Sequence, residues 1–467
     1  MTVKRALLVW GLLTILVLAS LGGIWLWRGA AGFEVAIQRG PYTNLPTALA
    51  SVGATWLLGG LFLFRLSSGK SWASHAWSWA GFFLVALVYL NLLRERTEYG
   101  DVEYYIDAAF RLSAGEALPS EYFYPPLWAA LLAWLAPLGK GGLFFVVWLF
   151  NLLSLLAFYF LLSKTLHLYG FSPRLAALVT TIFMLANAPL LRTMVYMQVN
   201  LHVMNAVLIG LLFYRRFPAL SALGMALAVH LKASPAVLVL AFVLEWNWRW
   251  LAWAALSFLL VGAIPIFGYG FGPYLDFVYN MQELSAGHAL NFRENSFDSI
   301  FMALVLFFNL SPAFVNIGAY AAKAILFIVT MFVMRRNIQQ ETFYAGEGKR
   351  LYNAIPSLSI LMLMASPIVW VHHSVFAALS FLLLLKRLES PSTWAFFGFA
   401  YFFQFLMPAF DFFPWSYGRL VAPLVCLWLL WRVSWKPTSI AGAGHSSWFE
   451  RLNRWLDSIP ELSRALS

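Results

Sequence analysis

An all-α, polytopic membrane fold is what this chain predicts, and three observations predict it. Of its 467 residues, 61% are hydrophobic and 11% charged, with 42 Phe and 22 Trp, and the mean hydropathy is +0.74. The apolar residues gather into runs bounded by charges. The Lys and Arg residues, which leave a net charge of +11, sit mostly in the short loops between those runs. Apolar surface on this scale needs lipid as its solvent, and lipid demands helices whose backbone groups pair internally. The cation pattern follows the positive-inside rule rather than forming a basic face, so the bilayer is the expected partner and nucleic acid is not. Cys426 is the single cysteine and lies within an apolar run, which excludes a disulfide framework and a Cys-based metal site.

Taken in order, apolar runs fall near 6–27, 48–66, 76–93, 143–163, 175–190, 199–214 and 219–231, then near 235–247, 251–269, 316–334, 354–366, 374–385, 393–408 and 419–434. They predict about 12–14 transmembrane helices. Runs shorter than the roughly 20 residues of a crossing imply tilted, re-entrant or surface pieces. The first run is longer than a signal-peptide core and no clear small-x-small site follows it, so it is read as a retained helix. Lys4, Arg5, Arg65, Lys70, Arg215, Arg216, Arg335, Arg336, Lys349, Arg350, Lys386, Arg387 and Lys436 fall on one side. Assigning that side to the cytoplasm makes both termini cytoplasmic and Asp101 extracytoplasmic. Arg94, Arg96 and Arg111 oppose the trend but are balanced by Glu95, Glu98, Glu103 and Glu116.

An odd number of crossings must separate Asp101 from Arg215, and segment 124–138 is assigned to the membrane surface. The chain divides into N-terminal transmembrane helices (1–93), a first large outer loop (94–125), a transmembrane core (126–433) and a cytoplasmic tail (434–467). The stretch from Trp448 to Leu456 in that tail is amphipathic at helical spacing and suits an anchor on the inner membrane surface.

Five polar groups stand out near the outer side, where such groups are functional candidates. In the loop Tyr99-Gly100-Asp101-Val102-Glu103-Tyr104-Tyr105, Asp101 either caps a surface helix over 102–115 or serves as a general base. Gln198 and Asn200, in Tyr196-Met197-Gln198-Val199-Asn200, either link helices or recognise sugar hydroxyls. Lys232, between apolar runs, either snorkels or meets an anion, and Pro235 suggests a helix break that would set it at a cavity wall. Around Asn291–Phe297, Asn295 or Ser296 can cap a helix, and Arg293 beside that helix start can meet a phosphate. In Ser366-Pro367-Ile368-Val369-Trp370-Val371-His372-His373, adjacent His residues cannot share a helix face, so a two-ligand metal site is not expected. Each His can instead donate to a phosphate oxygen, and Trp370 can stack on a sugar.

One carboxylate, a Lys, an Arg and two His on one face suit attack on a phosphate-activated sugar. No P-loop, Rossmann glycine pattern or Gly-x-Ser-x-Gly occurs, so a lipid-linked donor fits better than a nucleotide sugar.

The order Asp101-x-x-Tyr104-Tyr105, Tyr124-Pro125-Pro126-Leu127, Gln198-Val199-Asn200, Lys232-x-x-Pro235, Asn295-Ser296, Ser366-Pro367-x-x-Trp370-x-His372-His373 resembles glycosyltransferase family 87. These are the polyprenol-phosphate-mannose-dependent mannosyltransferases of the GT-C superfamily, and the resemblance covers about residues 95–390. It implies a GT-C membrane fold with an extracytoplasmic active site, a polyprenyl-phosphate sugar donor, a glycolipid or glycan acceptor, and an inverting reaction giving an α-linkage. It further implies Asp101 as base and His372 or His373 toward the donor phosphate, and Lys232 matches the family's lysine before proline. In a single displacement Lys232 and Arg293, with one of the His, would offset charge on the departing phosphate. Glu103, Tyr105, Gln198, Asn200, Asn295 and Trp370 are the candidates for the sugar and the acceptor. No cofactor or metal is required. Two departures stand: Met197 occupies a position where the family commonly has Gly, and two helices rather than one precede the helix leading to Asp101. A transporter or flippase of a lipid-linked sugar is the alternative, and inverted repeats would favour it; none is visible. A scaffolding role sits badly with the polar cluster.

Overall fold

The computed structural model describes residues 100–286, 295–407 and 417–434 continuously, with isolated positions between 8 and 31, at 89, and between 452 and 455. Among these residues the structure is helical and contains no strand. The chain runs through α1 (Val102–Ser113), α2 (Leu127–Ala133), α3 (Gly139–Leu168), α4 (Pro173–Leu185), α5 (Ala188–Val195), α6 (Asn200–Phe213), α7 (Pro218–Leu231) and α8 (Ala236–Leu244). It continues through α9 (Trp248–Tyr269), α10 (Gly272–Ala286), α11 (Phe297–Phe308), α12 (Ala313–Gln339) and α13 (Lys349–Met364). A 3-10 segment (Val371–Ala377) leads into α14 (Ala378–Leu384), then α15 (Pro391–Tyr401), a π turn (Phe402–Leu406) and α16 (Gly418–Val433).

Of the 12–14 expected crossings, three helices among the described residues are long and apolar enough to span a bilayer: Ala136–Leu168, Trp248–Tyr269 and Ala313–Gln339. The pair α4 and α5, bent by 66°, would make a fourth. The remaining apolar runs fold into shorter helices. At most a third of the residues in each long span are buried, as befits helices whose other faces meet lipid. Helix α13 is the opposite case, with every residue from Leu351 to Met364 buried, and it forms the centre of the protein. The segment assigned to the membrane surface forms only the seven residues of α2 and a 3-10 turn at Ala136–Leu138. Seven residues rise about 10 Å, a third of a hydrocarbon core.

Pro356 lies within α13 and has no N–H to give, which releases the carbonyl of Tyr352. The Tyr169 hydroxyl donates to that carbonyl at 2.9 Å, joining the α3–α4 loop to the core. Lys386 reaches the Tyr169 carbonyl at 2.6 Å from the same end. Around them lie Arg215 paired with Glu347, Lys349 paired with Glu341, and the Arg350 backbone N–H donating to Glu245 at 2.5 Å. This end gathers Arg215, Lys349, Arg350 and Lys386, all cations that the sequence places on one side.

Helices α6 and α7 form a close antiparallel hairpin, and two glycines make the approach possible. A Cβ on Gly224 would stand 2.8 Å from the Ala206 carbonyl oxygen and 3.1 Å from the Gly210 nitrogen; one on Gly210 would stand 2.9 Å from Met225 Sδ. Small residues at such contacts let backbones approach where apolar surface alone drives no association. Ser221 adds a hydrogen bond to the Gly210 carbonyl at 2.6 Å, and the Trp250 indole N–H donates to Ser221 Oγ at 2.9 Å. The hairpin brings the start of α6 and the end of α7 to the same end of the bundle, opposite Arg215.

Of the predicted cytoplasmic tail only three positions beyond 434 are described. Leu452 is buried, Trp455 packs on the core and Arg454 is exposed. The rest of the amphipathic stretch, and the helices predicted at 48–66 and 76–93 apart from Tyr89, lie outside the described residues.

Candidate active site

The site is built from the ends of short elements. Helix α1 covers most of the 102–115 stretch for which the sequence offers a helix capped by Asp101. It buries Val102, Tyr105, Ile106, Ala109 and Leu112 at helical spacing and exposes Glu103, Asp107 and Arg111. Asp101 stands at its N-cap position but makes no side-chain capping hydrogen bond, so the ordinary role for this residue is not the one it takes. Its carboxylate instead acts electrostatically on Tyr105, Tyr124 and Lys232. Gly100 fixes where that carboxylate lies. Its φ is +40°, and a Cβ there would stand 2.7 Å from the Tyr196 ring, so only glycine lets the loop close on the α5–α6 turn.

That turn explains the Met197 departure. Gln198 N–H donates to the Thr193 carbonyl at 2.9 Å and Met197 N–H to the Met194 carbonyl at 3.2 Å, which is a Schellman closure of α5. The closure requires a left-handed residue, and Met197 adopts φ +52°. Glycine at this place in the family is therefore a demand of the backbone. The chain meets that demand here with a buried Met, at a strain of about 1–2 kcal/mol.

The turn delivers Gln198 to two tyrosines. The Tyr105 and Tyr124 hydroxyls both donate to Gln198 Oε1, at 2.9 and 3.0 Å, and the Val199 N–H approaches the Tyr105 oxygen at 3.4 Å. The Tyr105 and Tyr124 rings meet edge to face with centroids 5.3 Å apart. Burial, then the neighbouring phenol and the Asp101 carboxylate, push the Tyr105 hydroxyl well above its ordinary range. Burial and then Asp101 do the same to Tyr124. Both therefore stay neutral and remain donors. Gln198 Nε2 is buried without a hydrogen-bond partner among the described residues.

Pro235 ends α7 as predicted, leaving Lys232 in extended backbone (φ −155°, ψ 132°) just beyond the helix. Its Nζ donates to Asn200 Oδ1 at 2.9 Å and lies 2.7 Å from His373 Nε2, with the Tyr124 and Phe376 rings within 5.5 Å. The Trp370 amide N–H lies 3.2 Å from the other ring nitrogen of His373. A neutral imidazole has one acceptor nitrogen, so these two donors compete for it. The His372 ring stands perpendicular to that of His373 at 4.6 Å, and its Nδ1 is buried without a hydrogen-bond partner among the described residues. The His372 carbonyl accepts from Thr193 at 3.4 Å and from Asn200 at 3.5 Å, which locks the 3-10 segment onto α5 and α6.

The structure thus brings together Asp101, Tyr105, Gln198, Asn200, Lys232, His372 and His373. Other candidates are placed differently. Glu103 is exposed on the far face of α1 and pairs with Lys140 at 3.2 Å, since residues two apart on a helix point to opposite sides. Asn295 is buried and bonds through its backbone N–H to the Val369 carbonyl at 2.8 Å, so it ties α11 to the loop before the His pair, while Ser296 caps α11. Trp370 is half-buried in that loop. Arg293 lies outside the described residues. Among the described residues no three of His, Cys, Asp and Glu gather as metal ligands.

Two residues that the sequence reading left without a role join the site. Tyr124 belongs to the quoted Tyr-Pro-Pro motif. Arg192, on α5, is buried, lies 5.1 Å over the Tyr196 ring and acts electrostatically on His372. A pattern in the sequence could have found it: between Glu121 and Glu245 there are seven Lys and Arg residues and no carboxylate.

Residues 122–367, more than half of the chain, match glycosyltransferase family 87. With its apolar helical body and a polar site assembled at one end, this is an integral membrane glycosyltransferase. The chain belongs to glycosyltransferase family 87. Asp101 and the His372–His373 pair lie just outside the matched residues. No curated protein and no solved structure matches the chain.

Proposed function

We propose that the protein transfers a hexose, mannose foremost, from a polyprenyl-phosphate donor to a lipid- or glycan-linked acceptor at the extracytoplasmic face of the plasma (inner) membrane. The reaction is a single displacement with inversion. The acceptor oxygen bonds to the anomeric carbon as the bond from that carbon to the phosphate oxygen breaks. The electron pair leaves on the phosphate, and Asp101 takes the acceptor proton. Gln198, its oxygen held by two phenols, has its amide nitrogen available for a hydroxyl of the sugar or the acceptor. Lys232 meets the departing phosphate, and an anion there relieves the competition at the His373 ring.

The observation that carries this reading is the Lys232 ammonium, held by the neutral acceptor Asn200 at 2.9 Å and acted on by the Asp101 carboxylate, beside the Tyr105–Tyr124–Gln198 cluster of neutral donors and acceptors. The cations at the opposite end satisfy the positive-inside rule as the cytoplasmic side. The test is transfer of labelled sugar from synthetic polyprenyl-phosphate-mannose by the purified protein, with Asp101→Asn beside the wild type. Loss of a general base predicts a fall of about 10²–10⁴-fold at unchanged thermal stability. Full activity of Asp101→Asn rejects Asp101 as the base, and donor translocation without transfer makes the protein a flippase.

A further inference from the structure

Arg192 sits where a guanidinium should not be left without an anion. It is 5% exposed, and its Nε and Nη1 are buried without hydrogen-bond partners among the described residues. The Tyr196 ring covers one face of the guanidinium, but a ring satisfies a face and not the N–H groups along the edge. Among the described residues no carboxylate pairs with it, and the nearest carboxylates in sequence are Glu121 and Glu245. A buried charge of this kind is stable when paired and strongly unfavourable when not. The neighbouring group it acts on, His372, has a buried unpartnered nitrogen of its own, and His372 in turn feels Lys232 and His373. The unmet donors therefore continue the line of cations that starts at Lys232.

We propose that Arg192 is a second cation of the phosphate subsite, offering its Nε and Nη1 edge, with the His372 ring beside it, to the phosphoryl oxygens of the lipid-linked substrate. The proposal rests on the phosphate-donor reading above. On that reading, charge balance argues for it as well. With neutral imidazoles, Asp101, Lys232 and Arg192 together carry one positive charge, which a phosphodiester donor cancels. After transfer Asp101 holds the acceptor proton, and two cations face a phosphate monoester dianion, so the pocket is again neutral. Without Arg192 the pocket would carry an uncompensated negative charge in both states, because Lys232 alone cannot balance both Asp101 and the phosphate.

The experiment measures binding of a short-chain isoprenyl monophosphate, and of the matching isoprenol, to the purified full-length protein in detergent. Wild type, Arg192→Met, Arg192→Lys and Lys232→Met are compared. The expected result is a Kd for the phosphate raised about tenfold or more in Arg192→Met, with isoprenol binding unchanged and an intermediate loss in Arg192→Lys. Wild-type affinity for the phosphate in Arg192→Met, alongside loss in Lys232→Met, overturns the role of Arg192 and leaves the donor reading standing. A wild-type protein that binds the phosphate no better than the alcohol overturns both. Where Arg192→Met fails to fold, Arg192→Lys decides: it keeps the charge and loses the planar edge, so wild-type affinity in it overturns the proposed contact.

Discussion

At the end of the α6–α7 hairpin that carries Arg215, cations meet carboxylates in the open. Arg215 holds Glu347 at 2.9 Å and Lys349 holds Glu341 at 2.6 Å, with all four side chains a third or more exposed. At the end that carries Lys232, some 14 residues of helix away, Arg192 is buried and Lys232 half-buried. Lys232 bonds to Asn200 and approaches His373, and Arg192 lies against Tyr196. The same residue types serve two purposes. Exposed pairs are neutral as they stand and are screened by water and salt, so they define an orientation and little else. On the proposed reading, Lys232, held by the neutral acceptor Asn200, and Arg192, covered by the Tyr196 ring, keep their charge in reserve for the donor phosphate.

The largest expected effect lies at the buried end. Lys232→Met should lower transfer from a polyprenyl-phosphate sugar by about 10²–10³-fold, the usual consequence of losing one group that stabilises charge developing in a transition state. Single-turnover assays check this, and an active Lys232→Met would reduce the buried end to one more structural network. Next comes the hairpin that sets the two ends apart. Gly224→Val pushes a side chain into the Ala206 and Gly210 backbone, which cannot yield as a side-chain tip would. The expected loss is about 1–3 kcal/mol, read as a lower thermal midpoint, with transfer falling as Asn200 and Lys232 part. The smallest effect belongs to the exposed end. Arg215→Ala should change stability by less than about 1 kcal/mol and leave the transfer rate at the wild-type value. A larger change in transfer there would mean that the two ends are coupled.

Much of this site was legible in the sequence, because proline and adjacent polar residues punctuate an otherwise apolar text. Pro235 predicted a break after Lys232, and α7 ends at Leu231; the polar Gln198 and Asn200 and the paired His stood out within apolar sequence, and the structure brings them together with Lys232. The α6–α7 contact was not legible: Gly210 and Gly224 read as ordinary small residues until the two helices are seen to touch. Arg192 was missed for a related reason. It lies between Leu191 and Thr193 on an eight-residue helix, where local pattern says nothing about which neighbours will fail to pair with it. Glu103 was misplaced because proximity to Asp101 along the chain does not survive the 100° turn per residue of a helix. The Met197 position shows the reverse: a departure from the family pattern was visible, but only the left-handed backbone gives its meaning.

The shortness of α6 and α7 bears on how a substrate reaches this place. Each has 14 residues and rises about 21 Å, whereas an unperturbed hydrocarbon layer is about 30 Å deep. If Arg215 stays at the headgroup level on its side, the Lys232–Asn200 contact lies roughly 9 Å below the headgroups on the other. A water-soluble sugar nucleotide would have to leave its hydration behind to arrive there. A substrate already moored by a long hydrocarbon tail needs only to sink by the height of its own phosphate and sugar, or to find the bilayer pinched to meet it. On the proposed reading, the depth of that contact would act as a filter on the physical state of the donor, before any side chain recognises its chemistry.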